Sequence, residues 1–153
     1  MLVLGSIDGE EVKKIVARFL PYHELHQTPL MERMAEGLQK HFPLENIHKN
    51  ARSAAYAAEA AGNQGKFFEM GDLLFANQKS WENSNDTVKV FTKYAQLLEL
   101  DVKKFQTDMK SSGVKKRVED DMILGNQIGV ASTPSFYLNG KLLSYSTLEE
   151  FNK

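Results

Sequence analysis

The chain contains no cysteine. Disulfide exchange needs a thiolate that attacks and later leaves a mixed disulfide, so dithiol chemistry is excluded for this chain. The same absence removes the usual clue to redox compartment. There is no excess of either charge: 19 basic and 20 acidic residues leave a net charge of −1. That balance gives no electrostatic footing for nucleic acid or an anionic membrane. No apolar run approaches the ~20 residues that span a bilayer, so the expectation is a soluble protein without membrane insertion. Met1-Leu2-Val3-Leu4-Gly5-Ser6 has neither a basic region nor a long apolar stretch, and is not read as a signal peptide. Internal repeats, low-complexity tracts, glycine-rich phosphate loops and a Ser-His-Asp arrangement are also missing.

What is present is an ordinary globular composition, with 153 residues, 42% hydrophobic and 25% charged. One domain is expected, since domains commonly run ~100–150 residues. A chain of that size buries roughly 68–70% of its unfolded surface and needs no disulfide or metal staple.

The β-prone run 14–20, ending at Pro21, is read as the first core strand. From about 24 to 40, Leu30, Met34 and Leu38 recur at helical spacing, with Pro29 inside the pattern. Ala51, Ala54, Ala55 and Ala58 suit a helix over 51–61 packed close to its neighbours, and Gly62-Asn63-Gln64-Gly65 breaks it. Further helices are expected over 67–78, after a cap at Asn85 or Asp86, after Asp101, and from Ser111 or Ser112 to Gln127. Their core residues are Phe67, Phe68, Met70, Leu74, Phe75, Val88, Phe91, Ala95, Leu98, Val114, Val118 and Met122. Gly129 ends the last of these helices. Asn139-Gly140 between 135–138 and 142–144 is a two-residue hairpin signal, and Ser146 or Thr147 opens a terminal helix. The order predicts an α/β fold with a helical insertion.

Several stretches carry a more specific likeness. They are Leu4-Gly5-Ser6-Ile7-Asp8, His41-Phe42-Pro43-Leu44, His48-Lys49-Asn50-Ala51-Arg52, Gly65-Lys66-Phe67-Phe68-Glu69-Met70, and Gly129-Val130 leading into Thr133-Pro134-Ser135-Phe136. In order and spacing they resemble the DsbA-like branch of the thioredoxin-fold disulfide oxidoreductases. The resemblance implies a thioredoxin core from 1–40 and 128–153, interrupted by a helical insertion and connecting helix over about 47–127. One strand is expected to be missing, because Gln39-Lys40-His41-Phe42 leaves little room for the strand that would precede His41.

The family's active site would be Cys-Pro-x-Cys at the start of the first helix. Its counterpart here is Leu20-Pro21-Tyr22-His23, with Leu20 and His23 at the two cysteine positions. The resemblance also implies a cis bond at Thr133-Pro134, beside which the backbone would bind an extended polypeptide. The field of a helix N-terminus would disfavour the imidazolium of His23, but as a lone histidine it is read as structural. His23 and His26 lack the spacing and third ligand of a zinc site, so no metal and no cofactor is expected. Glu59, Glu69 and Asp72 are read as solvated helix faces, and Trp81 as a partly buried anchor beside a polar loop.

Function follows in two forms. By resemblance the chain is a protein thiol-disulfide oxidoreductase, inactive in dithiol chemistry because its cysteines are absent. Alternatively it is a non-catalytic binding module: a chaperone, adaptor or complex subunit. A third reading, a non-redox enzyme built on His23, has only that one residue behind it. The partners implied by the family are unfolded or cysteine-containing polypeptides, and the compartment it implies is periplasmic or otherwise extracytoplasmic.

Overall fold

The computed structural model describes residues 2–5, 39–133, 135–138 and 141–143. The expected strand at 14–20, most of the helix at 24–40 and the terminal helix lie outside the described residues, as do Leu20, Pro21, Tyr22, His23, Pro134, Asn139 and Gly140. The chain divides into two compact units, one from 1–42 with 123–153 and the other from 43–122.

The first unit holds a four-stranded sheet in the order β2-β1-β3-β4. Its strands are β1 (Leu2–Gly5), β2 (Gln39–Lys40), β3 (Ser135–Leu138) and β4 (Lys141–Leu143). β1 runs parallel to β3, with Leu2 opposite Ser135 and Gly5 opposite Leu138. β3 and β4 are antiparallel, and Leu138 pairs with Lys141 across a two-residue connection. That length matches the Asn-Gly signal, and it starts the second hairpin strand one residue earlier than expected.

Two expectations are corrected here. Leu2–Gly5 is a strand where none was expected, because Leu-Val-Leu suits a ladder position beside the aromatic β3. A strand does precede His41: Gln39 and Lys40 pair antiparallel with Val3 and Leu2, where a continuing helix was expected. Two ladder residues suffice to cover part of the outer side of β1.

The second unit is helical. Its elements are α1 (Ala51–Gly62), α2 (Phe67–Ala76), α3 (Gln78–Trp81), α4 (Thr87–Leu97) and α5 (Val102–Lys110), and it includes the first part of α6 (Ser112–Gln127). α1 buries Ala54, Ala55, Ala57, Ala58, Ala60 and Ala61, and packs on α2, α4 and α5. Alanine lets helix backbones approach closely while burying apolar surface. Around that face lie the fully buried Met70, Phe91 and Phe105, with Trp81, Tyr94 and Met109. Trp81 and Phe91 meet edge to face at 5.8 Å, and Trp81 Nε1 donates to the Leu74 carbonyl at 2.8 Å.

Sequence signals place the helix ends. Asp86 accepts from the Lys89 amide and Asp101 from the Lys104 amide, while Ser111 Oγ accepts from the Val114 amide. Three helix ends share the paired backbone bonds of a Schellman turn. Lys66 N–H donates to Ala61 and Gly65 N–H to Gly62; Leu100 N–H donates to Ala95 and Glu99 N–H to Gln96; Val130 N–H donates to Gly125 and Gly129 N–H to Asn126. The left-handed residue is glycine twice, Gly65 and Gly129, each at φ 75°. At the third end it is Glu99, at φ 56°.

Four assignments change. Phe75 is 48% exposed, since Met70, Gly71 and Leu74 define the inward stripe of α2 and the next residue turns away. Trp81 ends a short helix rather than starting a loop, and is only 6% exposed. On α6 the buried position after Val114 and Val118 is Asp121 and not Met122, because seven residues complete about two turns. Glu59 is no solvated face: it pairs with Arg117 of α6, and its side chain is 18% exposed.

Candidate functional site

The segment entering β3 is the part of the sequence-predicted site that falls within the described residues. It is held at both ends. Upstream, Gly129 turns the chain out of α6, and Val130 is buried with Phe42 and Ile128 packed against it. Only glycine takes that left-handed turn without strain. Downstream, Ser135 is buried, begins β3 and stands opposite Leu2 of β1. Its Oγ donates to the Ser132 carbonyl at 2.5 Å, closing a small loop over the positions between.

Ala131 and Ser132 are exposed and Thr133 is half-buried. Among the described residues, the N–H groups of Ala131, Ser132 and Thr133 make no hydrogen bond, nor do the carbonyls of Ala131 and Thr133. Backbone groups without protein partners need water or a ligand, and an extended polypeptide main chain can supply them.

Of the predicted site residues, Thr133 alone can be placed; its proximity to the Leu20–His23 stretch falls outside the described residues. Neither Ser132 nor Ser135 carries a site signal of its own in the sequence, where Ser135 reads only as a strand residue. The Ser-x-x-Ser spacing around Thr133-Pro134 was the available signal. Among the described residues no group of three or more His, Asp or Glu side chains is arranged to hold a metal ion.

The helical unit carries charge, but in pairs that hold it together. Arg52 reaches Glu45 at 2.6 Å and Glu119 at 2.7 Å. The hydrogen bond to Glu45 leads the causes that raise the Arg52 pKa above its ordinary value. Lys66 is raised by its hydrogen bond to Glu69, and Asp108 is held below the usual carboxylate range by Lys104 and Asn63. Asn50, within the His48–Arg52 stretch, uses its amide to bind the loop after α3. It donates to the carbonyls of Trp81 at 2.8 Å, Glu82 at 3.2 Å and Ser84 at 2.8 Å.

Among known proteins, the chain is 42% identical over 104 residues to Na(+)/H(+) antiporter NhaA 1 of Mycobacterium sp. (strain KMS), which covers 67% of this chain and 16% of the antiporter. Na(+)/H(+) antiporter NhaA 3 of Salinispora tropica is 35% identical over 102 residues, covering 67% of this chain and 15% of that protein. Na(+)/H(+) antiporter NhaA of Herminiimonas arsenicoxydans is 36% identical over 96 residues, 63% of this chain and 15% of the relative. The match thus spans about one sixth of the length of the curated relatives. Among the described residues, no helix is long and apolar enough to cross a membrane. No solved structure matches the chain. The family model described as Thioredoxin matches residues 31–153, which takes in α1 to α6 and the β3–β4 hairpin, and the chain belongs to the thioredoxin family.

Proposed function

We propose that this chain is a DsbA-like member of the thioredoxin family that has lost dithiol activity and binds extended polypeptide at Thr133 and Pro134. The observation that carries this reading is that, among the described residues, the N–H groups of Ala131, Ser132 and Thr133 and the carbonyls of Ala131 and Thr133 make no hydrogen bond at the entry to β3, in a chain without cysteine. Strand addition takes its affinity from main-chain hydrogen bonds, so binding of this kind needs no thiol. An oxidoreductase step would need attack by a substrate thiol on an active-site disulfide, and Leu20 and His23 supply no sulfur.

The test is titration of the 15N-labelled chain with S-alkylated insulin B chain. Amide shifts at residues 131–133 are expected; none at millimolar peptide would remove the binding reading. No disulfide reduction above background is expected in the same preparation. The DsbA-like placement has its own test in the double substitution Leu20→Cys with His23→Cys. One thiol should then titrate below the unperturbed ~8.5. If the folded double variant titrates at ~8.5 for both thiols, the placement is wrong.

A second reading rests on the relatives. Stretches 35–42% identical to this chain occur within proteins named as Na(+)/H(+) antiporters. On this reading the bound polypeptide is a segment of a membrane ion transporter. Co-purification of the tagged chain with the cell's own antiporter supports it, and recovery of the chain without the transporter argues against it.

A further inference from the structure

We propose that Ser135 is a positioning residue for the polypeptide-binding segment, its hydroxyl holding in place Ala131 to Thr133, the backbone to which a ligand would bind. The inference rests on the binding reading above.

Ser135 is suited to this by place and by chemistry. It is 8% exposed, and as the first residue of β3 its backbone is fixed against Leu2. Burying a hydroxyl without a partner is costly, and the partner it finds is the Ser132 carbonyl at 2.5 Å. That bond ties an otherwise exposed residue, Ser132, to the sheet. The other end of the segment is tied independently, by the Val130 amide on the Gly125 carbonyl and by the burial of Val130. Between the two ties, among the described residues, 131–133 make no hydrogen bond beyond that of the Ser132 carbonyl.

A segment pinned at both ends has already lost much of its conformational freedom, so binding has less order to impose. Removing the hydroxyl releases the downstream tie only. The segment then samples conformations in which Ala131 and Thr133 no longer present their groups together. The ligand class is the main chain of an extended polypeptide, with little dependence on its side chains.

The test compares wild type, Ser135→Ala and Ser135→Thr as full-length 15N-labelled chains, titrated with S-alkylated insulin B chain at a temperature where each is folded. Ser135→Ala should weaken binding about fivefold, the ratio of one ordinary hydrogen bond, and Ser135→Thr should restore it. Without peptide, Ser135→Ala should lower the order parameters of the Ala131 to Thr133 amides while those of α1 and α4 stay unchanged. A purely structural serine would move the melting temperature and leave both of these readouts alone. Wild-type affinity and unchanged order in Ser135→Ala would overturn the proposal while leaving the binding reading standing. A wild-type chain that binds no peptide would overturn both. Should Ser135→Ala fail to fold, the near-isosteric pair Ser135→Thr and Ser135→Val makes the same comparison.

Discussion

The side-chain amide of Asn50 donates to the Trp81 carbonyl at 2.8 Å, fastening the start of α1 to the end of α3. The same amide reaches Ser84 at 2.8 Å, so one side chain fixes the loop that leads to the Asp86 cap. Although Asn50 sits at the N-cap position of α1, its side chain makes no capping bond. Its role is to hold the loop.

Substituting Asn50→Ala leaves part-buried carbonyls without their donor and should cost about 1–3 kcal/mol. Asn50→Asp should cost at least as much, because carboxylate oxygens would face carbonyl oxygens. Urea denaturation followed by far-UV circular dichroism measures both. A loss below about 0.5 kcal/mol for Asn50→Ala would mean that water replaces the clamp at no cost.

Glu99 supplies a contrast with Gly65 and Gly129. Left-handed backbone costs a residue with a side chain roughly 1–2 kcal/mol, against about 0.5–1 kcal/mol for the extra unfolded freedom of glycine. Glu99→Gly should therefore stabilise the chain by about 0.5–1 kcal/mol. Gly65→Ala should destabilise it by about 1 kcal/mol through φ alone, since a Cβ there meets nothing within 4 Å. Thermal melts of the two variants should shift in opposite directions.

Acid should weaken the α5 region through Asp108. Its carboxylate accepts from Lys104 Nζ at 2.5 Å and from Asn63 Nδ2 at 3.0 Å, which lowers its folded pKa. In the unfolded chain the group titrates near ~3.9. A depressed folded pKa gives stability that is fully present above the unfolded value and lost as pH falls through the folded one. Urea midpoints should fall as pH drops below ~4, and Asp108→Asn should flatten part of that slope. An identical slope in the variant would assign the acid sensitivity to other carboxylates.

Trp81 is the chain's one tryptophan, and it is buried against Phe91. Its emission should be blue-shifted in the native state and move to the red on unfolding. Trp81→Ala should cost about 3–5 kcal/mol by opening a cavity beside Leu74 and Phe91. A native spectrum already at the free-indole position would contradict the burial.

Much of the helical unit is legible in the sequence because its signals are local. Asp86, Asp101 and Ser111 announce helix starts, and Gly65 and Gly129 announce ends, each through a bond to a neighbour a few residues away. The stop at Glu99 is not legible, because glutamate carries no preference for positive φ and only the tertiary fit of Leu100 against the core imposes it. The inward turn of Asp121 is equally hidden, since a carboxylate in an apolar stripe reads as a break in the pattern. At the candidate site, Thr133-Pro134 was visible as a motif. The Ser135–Ser132 bond was not, because a serine opening a strand gives no sign of which carbonyl its hydroxyl will find.

The parallel pairing of β1 with β3 joins residues from opposite ends of the chain, Leu2 with Ser135. During ribosomal synthesis, at ~5–20 residues per second, β1 waits on the order of ten seconds for its parallel neighbour. The helices between the two strands emerge first and can assemble their local contacts in that interval. Sheet closure is then the late, entropically demanding event, and nascent chains stalled before β3 should already be helical and protease-resistant over 51–110 while β1 is still open to cleavage.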